Sequence, residues 1–259
     1  MLKGQTGIEV KRIRCLLANF LLSLWLCGSI TGCLWWQTKE PERTPQGLYE
    51  NGLMLMGKKK YEKAAGSFKK VKEEFPLSKY TVLAELKTAD AYFLDKNYVE
   101  AVLLYEEFKK LHPTHAEVPY VIHQLGMCHY KQMRTLDRDQ TETEKAIEQF
   151  RYLIENFPQS PHAAEARTKM ELCRKQLAEH EFYIGNFYFR GKKYRAALGR
   201  YEGILQKYPG TKLDDPVKRL ITECQGQIAK QEQKRKEKEA KEEKKKKERE
   251  EKISGKKSP

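Results

Sequence analysis

A spacing of small residue, ring and proline returns four times along this chain of 259 residues, and it restricts the fold more than any other feature. A ring is followed three residues on by Ala, four later by a second ring, and eight later by Pro. The copies are Tyr61, Ala64, Phe68, Pro76; Tyr98, Ala101, Tyr105, Pro113; and Tyr194, Ala197, Tyr201, Pro209. The remaining copy keeps Ala146, Phe150 and Pro158 but has Glu142 and Thr143 where its first ring would fall. Ala and a ring four apart share one helical face, and proline ends the helix because the residue before it is pushed out of the α region. A second small residue stands twelve ahead of the Ala at Gly52, Ala89 and Gly185, and twenty ahead at Gly126. The longer spacing predicts an inserted loop at Arg134 to Thr141.

This periodicity is the mark of tetratricopeptide repeats, in which paired helices stack into a superhelix. The expected fold is all-α: a tetratricopeptide-repeat superhelix of about five helix pairs, behind a cleaved lipoprotein signal and ahead of a charged C-terminal tail. Helices are expected at about 47–57, 60–75, 78–94, 97–111, 116–133 and 142–157. Ser78 and Ser160, two residues after prolines, sit where N-caps belong. From 160 to 190 apolar residues keep helical spacing without interruption, which predicts one long helix, a break near Glu179 and His180 being the alternative. Its partner is expected at Tyr194 to Tyr208, and a last helix at about 213–230.

The ends of the chain differ from its body. Residues 1–32 read as a signal: Lys11, Arg12 and Arg14 precede an apolar run from Cys15 to Cys27, too short to span a bilayer comfortably, and then a small-residue end. Ile30-Thr31-Gly32-Cys33 resembles a lipobox, which makes Cys33 the expected lipidation site, carrying covalent diacylglycerol and an N-acyl chain once cleaved. Leu34 after that cysteine, by the sorting rule of such lipoproteins, points to the outer membrane, with the protein facing the periplasm. Residues 33–46 are then anchor and linker, 47–229 the repeat domain and 230–259 a Lys/Glu-rich tail. Of the formal net charge of +14, the signal and the tail hold most, and the tail contains no ring to stack on a base. Nucleic acid is therefore not expected as a partner. The tail is open to two readings, a solvated helix held by Glu–Lys pairs or a disordered segment.

No enzyme motif is present, neither a paired-histidine zinc helix, nor a phosphate-cradling glycine loop, nor a nucleophile elbow, so no catalytic residue is assigned. His112, His115, His123 and His129 cluster near Cys128, but His123 and His129 are six apart and do not share a helical face, so no metal site is expected. Cys128, Cys173 and Cys224 fall within expected helices and read as buried thiols.

Binding by such an array is expected in the groove lined by the first helix of each pair. With the small residues setting the register, that groove displays Tyr49, Leu53 and Met56, then Leu86, Asp90 and Phe93, then Tyr120, His123, Met127 and Tyr130. Aromatic and apolar side chains dominate, which suits an extended apolar or aromatic peptide better than an acidic one.

The lipobox, the repeats and the long helix together resemble the BamD family of outer-membrane β-barrel assembly lipoproteins. Two local matches carry the resemblance further: Asp137-Arg138-Asp139-Gln140 in the inserted loop, and Arg200-Tyr201-Glu202-Gly203-Ile204-Leu205 followed by Tyr208-Pro209. The resemblance implies a non-enzymatic scaffold whose partners are the POTRA domains of a BamA-like barrel protein, unfolded outer-membrane proteins and other assembly lipoproteins. It also implies that Asp137, Arg138, Asp139, Gln140, Arg200 and Glu202 lie in partner-binding regions. A tetratricopeptide lipoprotein of another envelope system, a Tol–Pal coordinator or a secretin pilotin, would share the anchor and the fold but lack both matches. Cys33→Ser is expected to leave an unlipidated precursor; fractionation that still finds a mature, outer-membrane-bound protein would refute the anchor.

Overall fold

The computed structural model describes residues 42–254, so the signal, Cys33 and most of the linker lie outside the described residues. Among the described residues the ordered elements are helices: α1 (Pro45–Gly57), α2 (Tyr61–Glu74), α3 (Thr81–Leu94), α4 (Tyr98–Leu111), α5 (Val118–Lys131), α6 (Thr141–Asn156), α7 (Ala163–Arg190), α8 (Tyr194–Lys207) and α9 (Asp214–Ser254). None of them is long and apolar enough to cross a membrane. Each packs on its neighbours in sequence, giving four helix pairs and a ninth helix that closes the row. First helices also touch across pairs, α1 on α3 and α5 on α7, which puts them on the inner side of the superhelix.

Within each pair the small residue of the first helix lies under the ring of the second. A Cβ added to Gly52 would stand 2.4 Å from Phe68; one on Gly126 would stand 2.5 Å from Phe150, and one on Gly185 2.5 Å from Tyr201. The second pair has Ala89 instead, sharing a core cluster with Tyr105. Ala64, Ala101, Ala146 and Ala197, one turn before each ring, are fully buried, as are the four rings themselves. The repeated signature is therefore the list of contacts that closes each pair.

Three intra-pair turns are three residues long and carry a residue in the left-handed region: Lys59 (φ 57), Lys96 (φ 64) and Lys192 (φ 56). At the first, Lys60 N–H donates back to Leu55 O at 2.9 Å and Lys59 N–H to Met56 O at 2.9 Å, the pattern that satisfies the last carbonyls of a helix. Between pairs, the residue before each proline (Phe75, His112, Phe157 and Tyr208) leaves the α region with ψ between 51° and 58°. Ser78 and Ser160 belong to the turns that follow rather than to the helices. Their hydroxyls accept from Tyr80 and His162 N–H at 3.2 Å, and α3 and α7 begin only at Thr81 and Ala163.

Two boundaries differ from those the sequence suggests, the start of the first helix and the end of the last, while the single long helix expected over 160–190 is present as α7. α1 starts at Pro45, ahead of the expected residue 47, because Thr44 caps it, its hydroxyl accepting from Gly47 N–H at 3.0 Å, and proline is tolerated in the first turn. α7 runs unbroken through Glu179 and His180 for 28 residues. Its leading half buries Ala166, Cys173 and Leu177 against the third pair, and its trailing half sets Ala178 in the cluster around Tyr201. The final helix does not stop near residue 230 but continues through the tail to Ser254. Cys128, Cys173 and Cys224 are buried free thiols, and burial pushes the first two up to about 12.

Gly126→Val is expected to force Phe150 out of its rotamer and destabilise the fold by about 1–3 kcal/mol, seen as a lower Tm by circular dichroism. An unchanged Tm would show that the approach of α5 to α6 is not the tight contact described.

Candidate functional site

The ten groove positions divide by burial. Leu86, Asp90, His123 and Met127 are at most 9% exposed, whereas Leu53 is 41% exposed and Tyr49, Met56, Phe93, Tyr120 and Tyr130 are half-buried. Those six form the accessible part of the inner face. Tyr49 lies 5.6 Å from Tyr80 and 5.5 Å from Phe68, centroid to centroid, and Phe93 meets Tyr98 edge-on at 5.6 Å.

Asp90 has a structural task. Its Oδ1 accepts from Tyr105 O–H at 2.7 Å and from Tyr120 O–H at 2.9 Å, and its Oδ2 from Lys87 Nζ at 2.7 Å. The carboxylate links α3, α4 and α5 through three hydrogen bonds, and burial beside it pushes both phenols well above the ordinary tyrosine range. The fourth pair repeats the arrangement with Asn186, whose Oδ1 accepts from Tyr201 O–H at 2.8 Å.

His123 is buried and its Nε2 has no hydrogen-bond partner; Glu165 Oε2 stands 3.4 Å away and His162 stacks on the ring at 5.1 Å. Burial lowers its pKa, so the neutral ring is favoured. His162, Glu165 and Lys169, whose ammonium sits 4.9 Å over the Tyr130 ring, add polar groups to an otherwise aromatic face. Sequence reasoning missed these three because they lie in the leading turns of α7, ahead of the register set by Gly185. The other histidines disperse: His112 Nε2 bonds Glu85 at 2.7 Å and His129 Nδ1 bonds Glu142 at 2.7 Å. No group among the described residues could hold a metal.

The inserted loop is clamped to α7. Gln176 Nε2 donates to Arg134 O at 2.9 Å, and His180 Nδ1 lies 2.7 Å from Leu136 O. Within it Gln140 is buried, donating to Thr135 O and Arg138 O and accepting from Thr143 O–H, so it shapes the loop from inside. Asp139 accepts from Thr141 N–H and hydroxyl at the start of α6, bonds that hold its carboxyl below the usual range. Asp137 is lowered chiefly by the Thr135 hydroxyl, at 2.6 Å. Of the four, Asp137, Arg138 and Asp139 remain on the surface and only Gln140 is buried.

At the other end of α7, Arg200 on α8 places Nη1 2.9 Å from Glu181 Oε2 and 3.2 Å from Oε1. Both belong to an open groove of about 380 Å³, with Ala196, Gly199 and Gly203 among its lining and Tyr188, Arg195 and Lys207 around it. Gly199 and Gly203 have open space where a Cβ would be, so the backbone of α8 is accessible there. Glu202, two residues beyond Arg200, does not line this groove. Arg195 and Lys207 add positive charge to the groove beyond the residues the sequence singled out, and their spacing along one face of α8 was the signal available for them.

The family model described as "Outer membrane lipoprotein" (YfiO) matches residues 41–243, more than three quarters of the chain. Among curated proteins, outer membrane protein assembly factor BamD of Rickettsia prowazekii is 34% identical over 164 residues, covering 63% of this chain and 65% of its own length. BamD of Caulobacter vibrioides is 26% identical, with 74% and 64% covered, and BamD of Pasteurella multocida 29% identical, with 75% and 78% covered. The chain thus spans just under two thirds of the first two relatives. Among solved structures, the thermophilic tetratricopeptide protein TTC0263 of Thermus thermophilus aligns over 72% of this chain and all of its own, at 17% identity and a TM-score of 0.38. With its helix pairs, clamped loop and matched length, the chain belongs to the YfiO family of outer membrane lipoproteins.

Proposed function

We propose that this chain is a non-enzymatic scaffold of the outer-membrane β-barrel assembly machinery, anchored through acyl chains on Cys33 and facing the periplasm. The observation that carries the reading is the family match over residues 41–243, shared with relatives named as assembly factors. The geometry supplies two surfaces on which a scaffold of this kind could act. On the inner face of the first three pairs, Tyr49, Leu53, Met56, Phe93, Tyr120 and Tyr130 offer rings and apolar edges to the aromatic C-terminal segment of an unfolded barrel protein, with Lys169 beside Tyr130.

The second surface is the groove around Arg200, proposed to hold the POTRA domains of a BamA-like partner. A guanidinium half satisfied by Glu181 over an open glycine-lined strip suits a carboxylate side chain on the partner. Asp137 and Arg138 are a further exposed contact, aimed at the same partner or at another assembly lipoprotein.

The test is pull-down of the tagged chain from solubilised envelopes together with binding of a barrel C-terminal peptide. Arg200→Glu is expected to lose the POTRA-bearing partner while peptide affinity holds. Phe93→Glu or Tyr130→Glu is expected to weaken the peptide by about tenfold, with the partner retained and helicity unchanged. Recovery of Tol–Pal or secretion components in place of a POTRA protein would overturn the reading.

A further inference from the structure

The leading part of α9 belongs to the array. Val217 and Cys224 are buried in the last core cluster, and Gln231, donating to Lys192 O at 3.4 Å, and Glu232, paired with Arg195, tie it to the repeats. From Gln233 to Lys252 every side chain is exposed, and the only apolar one is Ala240. At 3.6 residues per turn, Lys230, Lys234, Lys238, Lys241, Lys245, Arg249 and Lys252 follow one another at steps of four or three along a single line about 33 Å long. With Arg235 and Lys244, that half of the helix carries nine cations against Glu237, Glu242 and Glu248. The opposite half reverses the balance, Lys236, Lys246 and Lys247 facing five glutamates. Ion pairs such as Arg235–Glu239 at 3.5 Å, Lys238–Glu242 at 3.7 Å and Lys247–Glu243 at 2.9 Å are exposed and leave this asymmetry in place.

We propose that the basic side of α9 lies along an anionic lipid surface, as a second point of membrane attachment. The long straight line of charge matches a plane of phosphates. An apolar stripe, which a protein groove or the acyl region would require, is missing from residues 233–252, and so is any ring to stack on a base. The contact is therefore Coulombic, sensitive to salt and to the lipid's charge. Docking by a helix that continues from the last repeat would orient the array against the bilayer, a constraint that a linker at the other end of the chain does not supply. The inference rests on the membrane setting of the proposed function.

The full acylated chain, reconstituted in vesicles, tests this. Ala240→Cys carries a donor dye, the three described native thiols being buried, and the acceptor sits in the lipid headgroups. Energy transfer is expected to be low in phosphatidylcholine, to rise about tenfold with phosphatidylglycerol, and to be reversed by salt above about 0.5 M. Lys234, Lys241 and Lys245 changed together to Gln should abolish the rise. Changing Lys236, Lys246 and Lys247 to Gln removes the same net charge from the other side and should leave it. Equal losses in the two variants, or transfer indifferent to lipid charge, would overturn the proposal, as would displacement of the tail from anionic vesicles by an acidic protein or RNA. A chain that leaves neutral vesicles has lost its anchor, which counts against the proposed function; its recruitment to anionic vesicles would still support the tail contact.

Discussion

The fold depends on one contact made four times, a ring laid over a residue with little or no side chain. Where that residue is glycine, the backbone of one helix meets the ring of the next so closely that a Cβ would stand 2.4–2.5 Å from it. The separation within a pair, and hence the angle at which each pair meets the next, follows from this contact. An array has no central core to correct an error in one unit, so each pair must close by itself and pass its geometry on.

The ring also explains the residue beside the glycine. Where the ring is tyrosine, its buried hydroxyl needs an acceptor, and the next residue after the small one is Asp90 or Asn186. Where it is phenylalanine, the same place holds Leu53 or Met127, and no acceptor is required. The two positions change together from unit to unit because they are one interaction. Asp90, whose charge set it apart from an otherwise apolar groove, is thereby accounted for by Tyr105 and Tyr120.

The helices were readable in the sequence, their ends written by proline and by small residues at fixed offsets, whereas this pairing was not, and Asp90 was placed in the groove. Nor were other features. A register counted from one helix says which side a residue faces but not how closely the next pair covers it, so Leu86, His123 and Met127 went inside while Tyr49, Phe93 and Tyr130 stayed accessible. Ser78 and Ser160 sit after prolines as caps do, yet the turn they close uses up two residues before the helix begins. Charge alone does not decide whether a Lys/Glu segment is helical; here α9 enters it already formed, so no new nucleus is needed.

The undivided course of α7 turns the array from a chain of units into a gauge. Its leading turns bring Glu165 and Lys169 to the aromatic inner face, and its far end brings Glu181 and Tyr188 to the groove of Arg200. From Glu165 to Tyr188 is about 35 Å along one helix with no break in it. Whatever rests on one surface is thus set apart from whatever rests on the other by the length of one continuous helix, a spacing written into the chain rather than into the stacking of separate units.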